Sequence, residues 1–328
     1  MIISKTPYRI SFFGGGTDYP RWYEKNGGKV LSTTIDKYCY ITCRDLPPFF
    51  SHKHRIVYSK IENVIKIQEI EHPSVKAILN FFKIKKGLEI HYDGDLPARS
   101  GLGSSSSFTV GLINALSYHH NSIINKKKLA QLALYIEQKL LKENVGSQDQ
   151  VAAAYGGFNV INFNKNLSFK VMPLNISRKK KENLEKEVVL CFTGISRLAS
   201  VIAKHKINNI EIKKKIFESL NYFTNEGIKI LQSDKYTIED FGKLLTESWT
   251  VKKSLANMIS NPNIDSIFEE ALDNGATGGK LLGAGAGGFL MFLVARHKQK
   301  KFFKKMNKYI CLPIKFDKYG SSILNIKK

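Results

Sequence analysis

The sequence predicts a protein of two domains that contain both helices and strands. Its 328 residues are enough for two hydrophobic cores, and 43% of them are hydrophobic, as in ordinary globular proteins. Strand-like and helix-like runs alternate, and three glycine-rich stretches interrupt them near the start, at one third and near the end. We place the boundary in the basic segment 177–186 and divide the chain into 1–180 and 181–328.

Cysteine content and hydropathy limit the classes of protein to consider. Four cysteines lack the spacing of a zinc site, so we expect reduced thiols in a cytoplasmic protein without a structural metal: Cys39, Cys43, Cys191 and Cys311. The first residues are too poor in apolar side chains for a signal peptide. No apolar run approaches the ~18 residues of a membrane helix, and we expect no membrane partner.

The net charge of +23 comes almost entirely from lysine. The lysine runs lie on predicted helix faces or in connections, without interleaved aromatic residues: 126–128, 179–181, 213–215 and 298–305. Nucleic-acid binding is an alternative, but no motif that reads nucleic acid accompanies the charge. We therefore expect the partners to be anionic small molecules and not nucleic acid. We expect the protein to be a monomer or a homodimer.

The first glycine-rich stretch follows strands predicted at 2–4 and 8–13. Gly14-Gly15-Gly16-Thr17-Asp18 predicts a tight turn that brings backbone and one carboxylate to a cleft wall, although a hairpin turn with a solvated aspartate fits equally well. The elements predicted next are strands at 28–35 and 38–43, a mobile loop at 46–60 that returns to a strand, a helix over 73–82 and a strand from residue 88.

The second stretch lies between that strand and a helix, and its composition predicts a phosphate-binding loop. Two glycines permit close approach, and the serines supply unpaired N–H groups at the positive end of the helix. The loop comprises Gly101, Leu102, Gly103, Ser104, Ser105, Ser106 and Ser107. It has neither the Gly-Lys-Ser/Thr of a Walker A loop nor the third glycine of a dinucleotide fingerprint. The simpler alternative is a serine-rich turn that caps a helix.

Two acidic residues follow this loop. A helix predicted over 126–143 carries Glu137 near the edge of its buried stripe. Ser147 caps the next helix, so Asp149 lies in a first turn, where the helix dipole favours its ionised form. Simple stabilisation of the helix end is the alternative role for Asp149.

The second half predicts a buried strand at 188–192, lysine-rich helices within 198–258 and a helix at 264–274. The third glycine-rich stretch, at 275–289, is too rich in glycine for the interior of a helix or strand. It predicts a loop that another backbone or a ligand approaches closely. A strand at 290–295, a helix and a strand at 311–316 follow.

The three stretches in this order resemble the GHMP kinase superfamily. The matching motifs are Thr6-Pro7-Tyr8-Arg9 with Gly14-Gly15-Gly16-Thr17-Asp18, then Gly101-Leu102-Gly103-Ser104-Ser105, then Gly283-Ala284-Gly285-Ala286-Gly287-Gly288. The resemblance implies an α+β fold with a ribosomal protein S5 domain 2-like N-terminal domain and a ferredoxin-like C-terminal domain. It also implies an active site between the two domains, with ATP and Mg²⁺ as cofactors.

The triple glycine of the first motif, with Gly146-Ser147-Gln148-Asp149-Gln150, is similar to the D-glycero-D-manno-heptose 7-phosphate kinases. This similarity implies phosphorylation of the anomeric hydroxyl to give the 1,7-bisphosphate, on a route to nucleotide-heptose and capsule. A fucokinase-like kinase of a free sugar is the alternative enzyme. A non-catalytic ATP-binding sensor is the alternative class.

The resemblance also implies residue roles. Asp149 and Arg9 would be catalytic, Ser105 and Glu137 would contact magnesium, and Asp18 would bind sugar hydroxyls together with Gly15, Gly16 and Thr17. Arg99 and Arg197 are candidates for the sugar phosphate because the arginine fork matches phosphate oxygens, with a surface ion pair as the alternative for each. The third loop would approach the phosphates or support the first domain through Lys280, Gly283, Gly285 and Gly287. Two departures from the family pattern are Ala98-Arg99-Ser100 and Ala286.

Overall fold

Two β-sheets with helices packed against them form the computed structural model, which describes residues 1–195, 212–255 and 259–324. The strands are β1 (Ile2–Phe13), β2 (Gly28–Asp45), β3 (His54–Val57), β4 (Ile61–Val64), β5 (Leu88–Gly94), β6 (Phe158–Phe163), β7 (Phe169–Pro173), β8 (Val188–Phe192), β9 (Ala276–Leu281), β10 (Phe289–Val294), β11 (Cys311–Pro313) and β12 (Ser322–Leu324). The helices are α1 (Pro20–Asn26), α2 (Pro73–Phe81), α3 (Ser104–His119), α4 (Lys126–Tyr135), α5 (Gln148–Tyr155), α6 (Arg178–Glu187), α7 (Lys214–Gln232), α8 (Ile238–Lys253), α9 (Pro262–Asp273) and α10 (Arg296–Lys305).

The first sheet is organised by the antiparallel pair β1 and β2. Its order is β12-β1-β2-β5-β3-β4, with β6 and β7 added alongside the first part of β2. The sequence predicted two short strands in place of β1, at 2–4 and 8–13, and two in place of β2, at 28–35 and 38–43. In the structure each of these pairs is one long strand. Register shifts in β1 near Pro7 and Phe13 keep the two long strands paired, because a bulge absorbs the bend without ending the ladder.

The second sheet has the order β11-β8-β10-β9 and is antiparallel throughout. The α+β class predicted from the sequence is confirmed. The predicted boundary between residues 180 and 181 falls inside α6, which leads into β8. The end of the chain does not stay with the second sheet, because β12 pairs with β1 of the first.

A continuous hydrophobic core joins the two sheets. The rings of Phe12 and Phe13 lie 5.5 and 5.3 Å from that of Phe241 on α8. Trp22 stacks on Phe217 of α7 with ring centroids 5.0 Å apart. Fully burying one such aromatic side chain stabilises a fold by roughly 2–3 kcal/mol, so these contacts fix the sheets relative to each other and define the cleft between them.

The prediction of reduced thiols is wrong for one pair of cysteines. Cys191 on β8 and Cys311 on β11 form a disulfide across neighbouring antiparallel strands, with their Cα atoms 4.1 Å apart. Cys39 and Cys43 are free and buried. The two bonded residues are 120 positions apart in the sequence, and only the order of the strands brings them together. Among the helices of the described residues, none is long and apolar enough to cross a membrane.

Candidate active site

A cavity of about 940 Å³ lies between the two sheets, where the three glycine-rich stretches meet. Its walls come from the turn after β1, the loop before α3, the start of α5, the end of α8 and the loop after β9. Binding cavities of this size hold ligands of nucleotide or drug size. The packing between the sheets therefore assembles a site from parts that are far apart in the sequence.

The glycine-rich loop before α3 has the geometry of an anion site. Gly101 and Gly103 have φ values of +82° and +78°, which residues with a Cβ rarely adopt. The free backbone N–H groups of the first helical turn face the same end as the exposed Ser105. Two residues predicted to contact ATP lie off the cavity wall. Leu102 is in the core and its carbonyl oxygen accepts from Arg9 N, and Ser107 Oγ donates to Pro7 O. These two hydrogen bonds hold the loop on β1.

The side chains of Arg9 and Asp149 form a bidentate ion pair beside this loop. Arg9 Nε donates to Asp149 Oδ1 and Arg9 Nη2 donates to Asp149 Oδ2, both at 2.8 Å. Arg9 Nη1 also donates to Gly101 O at 2.7 Å. The Arg9 side chain is 4% exposed and the Asp149 side chain 25% exposed. The arginine thus fixes the orientation of the carboxylate against the phosphate-binding loop while leaving it accessible from the cavity.

Glu137 lies deeper than the sequence predicted. The helix expected over 126–143 gives way after α4 to one wider turn at Ile136–Leu140 with π-helical hydrogen bonds, and Glu137 is 1% exposed. Its Oε2 accepts hydrogen bonds from Gln150 Nε2 and, at 2.9 Å, from Ser106 Oγ. Ser106 therefore contacts this carboxylate, whereas Ser105, which was predicted to contact magnesium, is exposed at the cavity wall, and its role stays a prediction.

Glu137 has the chemistry of a magnesium ligand. Its Oε1 is buried and has no hydrogen-bond partner among the described residues, and a carboxylate with hydroxyl neighbours suits a hard cation. Burial raises the pKa of Glu137 to about 7. The described residues contain no cluster of three or more His, Cys, Asp or Glu side chains suited to a metal, so phosphate oxygens and water would have to supply the other ligands.

The raised pKa of Glu137 predicts how stability without ligand depends on pH. Because the pKa is higher in the folded than in the unfolded chain, its stabilising contribution is complete below about pH 4.5 and is lost as pH rises to about 7. The glutamine in Glu137→Gln does not ionise, so the stability of the variant lacks this dependence on pH. We expect the difference in unfolding free energy between the variant and the wild type to shift in favour of the variant by up to about 3 kcal/mol between pH 5 and pH 8. Urea unfolding at the two pH values measures this shift, and an unchanged difference would contradict it.

The turn after β1 brings Gly15, Gly16 and Asp18 to the cavity wall. Asp18 is 2% exposed, and its Oδ1 accepts from Gly16 N and its Oδ2 from Gln148 N. Burial raises the pKa of its carboxyl group. Asp18 therefore connects the first glycine-rich turn to the start of α5 and lies next to Asp149 in the cavity.

Thr17 has a different position from its neighbours in the turn. Its side chain is fully buried and donates to Gly14 O at 2.9 Å and Lys29 O at 3.1 Å. The predicted contact with substrate is therefore wrong for this side chain, which instead closes the turn against β2.

The loop after β9 packs on the phosphate-binding loop. A methyl group on Gly283 would lie 2.6 Å from Gly101 Cα, and Phe289 N donates to Ser100 O at 3.1 Å. Gly285 and Gly287 approach Ile259 and Ile195 instead, so of the predicted loop glycines Gly283 lines the cavity. Lys280 lies on β9, and its Nζ donates to Ser11 O and Phe12 O of β1, which ties the two sheets together.

Of the two arginines predicted to bind the sugar phosphate, the structure describes one. Arg99 is exposed, lines the cavity and has a φ of +60°; its role stays a prediction. Arg197 lies outside the described residues.

Several cavity residues carry no local motif that the sequence analysis recognised. One end of the cavity is aromatic. His72 stacks on Phe108 with ring centroids 4.8 Å apart, and the ring of Tyr58 meets that of His72 edge to face with centroids 4.9 Å apart. The other end contains the polar side chains of Ser11, Gln148 and Lys252. The sequence could have indicated Gln148 as a cavity residue, because it directly precedes Asp149. The other residues reach the cavity only through the packing of the two sheets.

The site combines a loop whose geometry suits phosphate with a carboxylate that an arginine holds in place. Enzymes that transfer phosphoryl groups need this combination. Residues 70–157 match the family GHMP kinases N terminal domain, and residues 234–310 match GHMP kinases C terminal. The D-glycero-alpha-D-manno-heptose 7-phosphate kinase of Campylobacter jejuni is 34% identical over 94% of this chain and 93% of the relative. The chain belongs to the GHMP kinase family, whose members use ATP as phosphate donor, and it is a kinase that acts on a sugar hydroxyl.

Solved structures agree with this assignment. A D-glycero-D-manno-heptose 1-phosphate kinase from Bacteroides thetaiotaomicron is 25% identical, with a TM-score of 0.74 and both chains fully covered. A putative sugar kinase from Campylobacter jejuni is 29% identical, with a TM-score of 0.69 and coverage of 99% of this chain and 98% of that one. The relatives support a sugar-phosphate kinase with the GHMP fold.

Proposed function

We propose that this protein transfers the γ-phosphoryl group of ATP to the anomeric hydroxyl of D-glycero-D-manno-heptose 7-phosphate and releases the 1,7-bisphosphate. The observation that carries the proposal is the bidentate pair of Arg9 and Asp149 attached to Gly101 O. In this proposal the carboxylate accepts a proton and the guanidinium group stabilises the phosphoryl group, and the position of both beside the phosphate-binding loop supports these roles. The name of the 34% identical relative supports the choice of acceptor.

The transfer step requires orientation more than covalent chemistry, because phosphoryl transfer passes through a loose transition state. Asp149 accepts the hydrogen bond of the attacking hydroxyl and takes its proton as the bond to phosphorus forms. Arg9 holds Asp149 and donates to the equatorial oxygens of the phosphoryl group. The N–H groups at the start of α3 stabilise the negative charge on the ADP that leaves.

The aromatic end of the cavity suits the adenine base. His72, Phe108 and Tyr58 form an aromatic cluster there, and a planar base packs well against such a surface. The phosphates would then extend along the loop toward Asp149. Mg²⁺, held by Glu137 with a hydroxyl of Ser105 or Ser106, would neutralise charge on the phosphates when bound.

The acceptor would lie at the polar end of the cavity. Asp18 lines the cavity and would accept hydrogen bonds from sugar hydroxyls, and Gly15 and Gly16 would leave room for the ring. Arg99 is the described arginine on the cavity wall, besides Arg9, that can reach a second phosphate group. In this proposal the reaction takes place in the cytoplasm and supplies nucleotide-heptose for a surface polysaccharide such as capsule.

Turnover on a panel of acceptors tests the proposal. ATP consumption with Mg²⁺ is measured on heptose 7-phosphate, mannose 6-phosphate, fucose, galactose and mannose, and phosphorus NMR identifies the product. We expect strong turnover on the heptose phosphate alone, with a new anomeric phosphate signal. Preference for fucose would favour a free-sugar kinase. The similarity of this chain to the bifunctional fucokinase/GDP-fucose pyrophosphorylase of Arabidopsis thaliana, 26% identical over 90% of this chain and 30% of that relative, is the reason to include fucose. ATP binding without any turnover would indicate a sensor.

A further inference from the structure

Three polar side chains surround the open side of Gly15. A methyl group built on this glycine would lie 3.4 Å from Gln148 Nε2, 3.6 Å from Ser11 Oγ and 3.7 Å from Lys252 Nζ. All four residues line the cavity. The absence of a side chain at residue 15 therefore leaves a small polar recess between the two sheets.

The recess contains hydrogen-bonding atoms that have no partner within the part of the chain that the structure describes. Ser11 Oγ and Gln148 Oε1 are buried and have no hydrogen-bond partner among the described residues, and both side chains are more than nine-tenths buried. Buried polar atoms are nearly always paired, because leaving one unpaired costs about 1–3 kcal/mol. Two such atoms at one cavity wall indicate a polar ligand.

Lys252 gives the recess a positive charge. It lies near the end of α8 and is 6% exposed, and the hydrogen bond found for its Nζ within the described residues goes to Gly283 O at 3.2 Å. The charged groups that act on it are Asp18, Arg9 and Asp149, and burial lowers its pKa to about 8. The ammonium group keeps further donors for a ligand between the first glycine-rich turn and the catalytic carboxylate.

We propose that Lys252, Gln148 and Ser11 form an acceptor subsite over Gly15 that binds oxygen atoms of the sugar, either its hydroxyls or its own phosphate. The proposal rests on the kinase function proposed above. Lys252 and Gln148 donate to these oxygens, and Ser11 and Gln148 accept from hydroxyls. The subsite orients the acceptor so that its reacting hydroxyl faces Asp149. Lys252 reaches it from α8, the helix that packs on β9 of the second sheet, so the acceptor is held by both halves of the molecule.

The burial of Lys252 distinguishes a binding role from a structural one. Its pKa is lower in the folded than in the unfolded chain, so at neutral pH the folded protein carries a charge that it would be more stable without. Lys252→Met should therefore fold at least as stably as the wild type, whereas removal of a structural ion pair would lower the melting temperature. We expect kcat/KM for the acceptor to fall roughly 10- to 100-fold, the usual value of a hydrogen bond to a charged group, with KM for ATP unchanged within twofold.

Lys253 provides the matched control for this substitution. It is the next residue of α8, it is partly exposed, and it pairs with Asp265 at 3.2 Å. Lys253→Met removes the same charge from the same helix turn and should leave both KM values unchanged. Lys252→Arg keeps the charge and should retain part of the activity. We expect the wild-type kcat/KM for the acceptor to decline as pH rises through about 8, and because Arg does not deprotonate, this variant should lose that decline.

Gly15→Ala tests the recess independently of any charge. Gly15 does not have the positive φ of its neighbours Gly14 and Gly16, and the new methyl group would be in ordinary contact with its surroundings. The variant should fold normally while the methyl group occupies the subsite. We expect KM for the acceptor to rise about tenfold or more, the order of one lost charged hydrogen bond, with KM for ATP unchanged.

The acceptor used in these assays separates the possible outcomes. An equal loss in Lys252→Met on a phosphorylated sugar and its free form assigns the subsite to hydroxyls, and a loss on the phosphorylated sugar alone assigns it to the phosphate. A rise in KM for ATP, or no change with any acceptor in both Lys252→Met and Gly15→Ala, overturns the subsite. If the wild type prefers a sugar other than the heptose phosphate, the proposed function fails, but the same variants still test the subsite on that sugar.

Discussion

Asp149→Asn should lower kcat by roughly 10²- to 10⁴-fold, the usual contribution of a general acid–base group. The asparagine is nearly the same size and keeps an oxygen for Arg9 Nε, but it offers an amide NH₂ where Arg9 Nη2 now donates to Oδ2. It neither accepts the proton of the attacking hydroxyl nor balances the charge of Arg9. The phosphate-binding loop does not depend on this carboxylate, so ATP should bind with nearly unchanged affinity.

The loss of the ion pair should also be visible in stability. Arg9 is almost fully buried and would keep its bond to Gly101 O but lose its counter-charge. We expect the unfolding free energy to decrease by about 2 kcal/mol, the range for hydrogen bonds between charged groups. Asp265→Asn is the matched control, because it breaks a partly exposed pair with Lys253 away from the cavity. Steady-state kinetics, equilibrium ATP binding and urea unfolding measure the three effects. Equal losses of ATP affinity and turnover would remove Asp149 from the catalytic step.

Gly283→Ala should weaken both the fold and the binding of ATP. The methyl group would lie 2.6 Å from Gly101 Cα, and the contact is between two backbones that cannot rotate away. The loop after β9 would have to move off the phosphate-binding loop. We expect KM for ATP to rise about tenfold or more, because a displaced loop loses at least one charged hydrogen bond to phosphate.

Gly194→Ala separates this clash from backbone strain. Gly194 has a φ of +74°, close to the +71° of Gly283, but a methyl group there would meet no described atom within 4 Å. Both variants should lose about 1 kcal/mol of stability from the left-handed conformation. The further loss, and the rise in KM for ATP, should appear in Gly283→Ala alone. If the two variants behave alike, the contact between the two loops does not position the phosphates.

Sequence reasoning identified the parts of the site that depend on local chemistry. Glycines and serines before α3, and Asp149 in the first turn of α5, have a physical reason in the conformation and electrostatics of a few neighbouring residues. Local chemistry did not give the direction of each side chain in these segments. Successive residues of a helix point about 100° apart, and the structure orients Ser106 toward Glu137, while the role predicted for Ser105 at magnesium stays a prediction. The wider turn at Ile136–Leu140 likewise moved Glu137 from the edge of a helix to full burial.

Other features depend on contacts between distant segments. Thr17 lies in a motif but is directed into β2, and Cys191 meets Cys311 because β8 and β11 are neighbours. Lys252 belongs to a lysine-rich helix in which the sequence does not separate it from Lys253, yet one is buried in the cavity and the other pairs with Asp265.

The sequence by itself determined the three glycine-rich stretches, because each follows from backbone conformation within a short segment. Through the family resemblance that these stretches carry, it also gave the α+β class and the candidates Arg9 and Asp149, whose pairing is a contact over 140 residues. Only the tertiary structure decided which polar groups share the cavity. The recess over Gly15 combines residues from β1, α5 and α8. No local pattern encodes that meeting, since it results from the burial of aromatic side chains that fixes one sheet against the other.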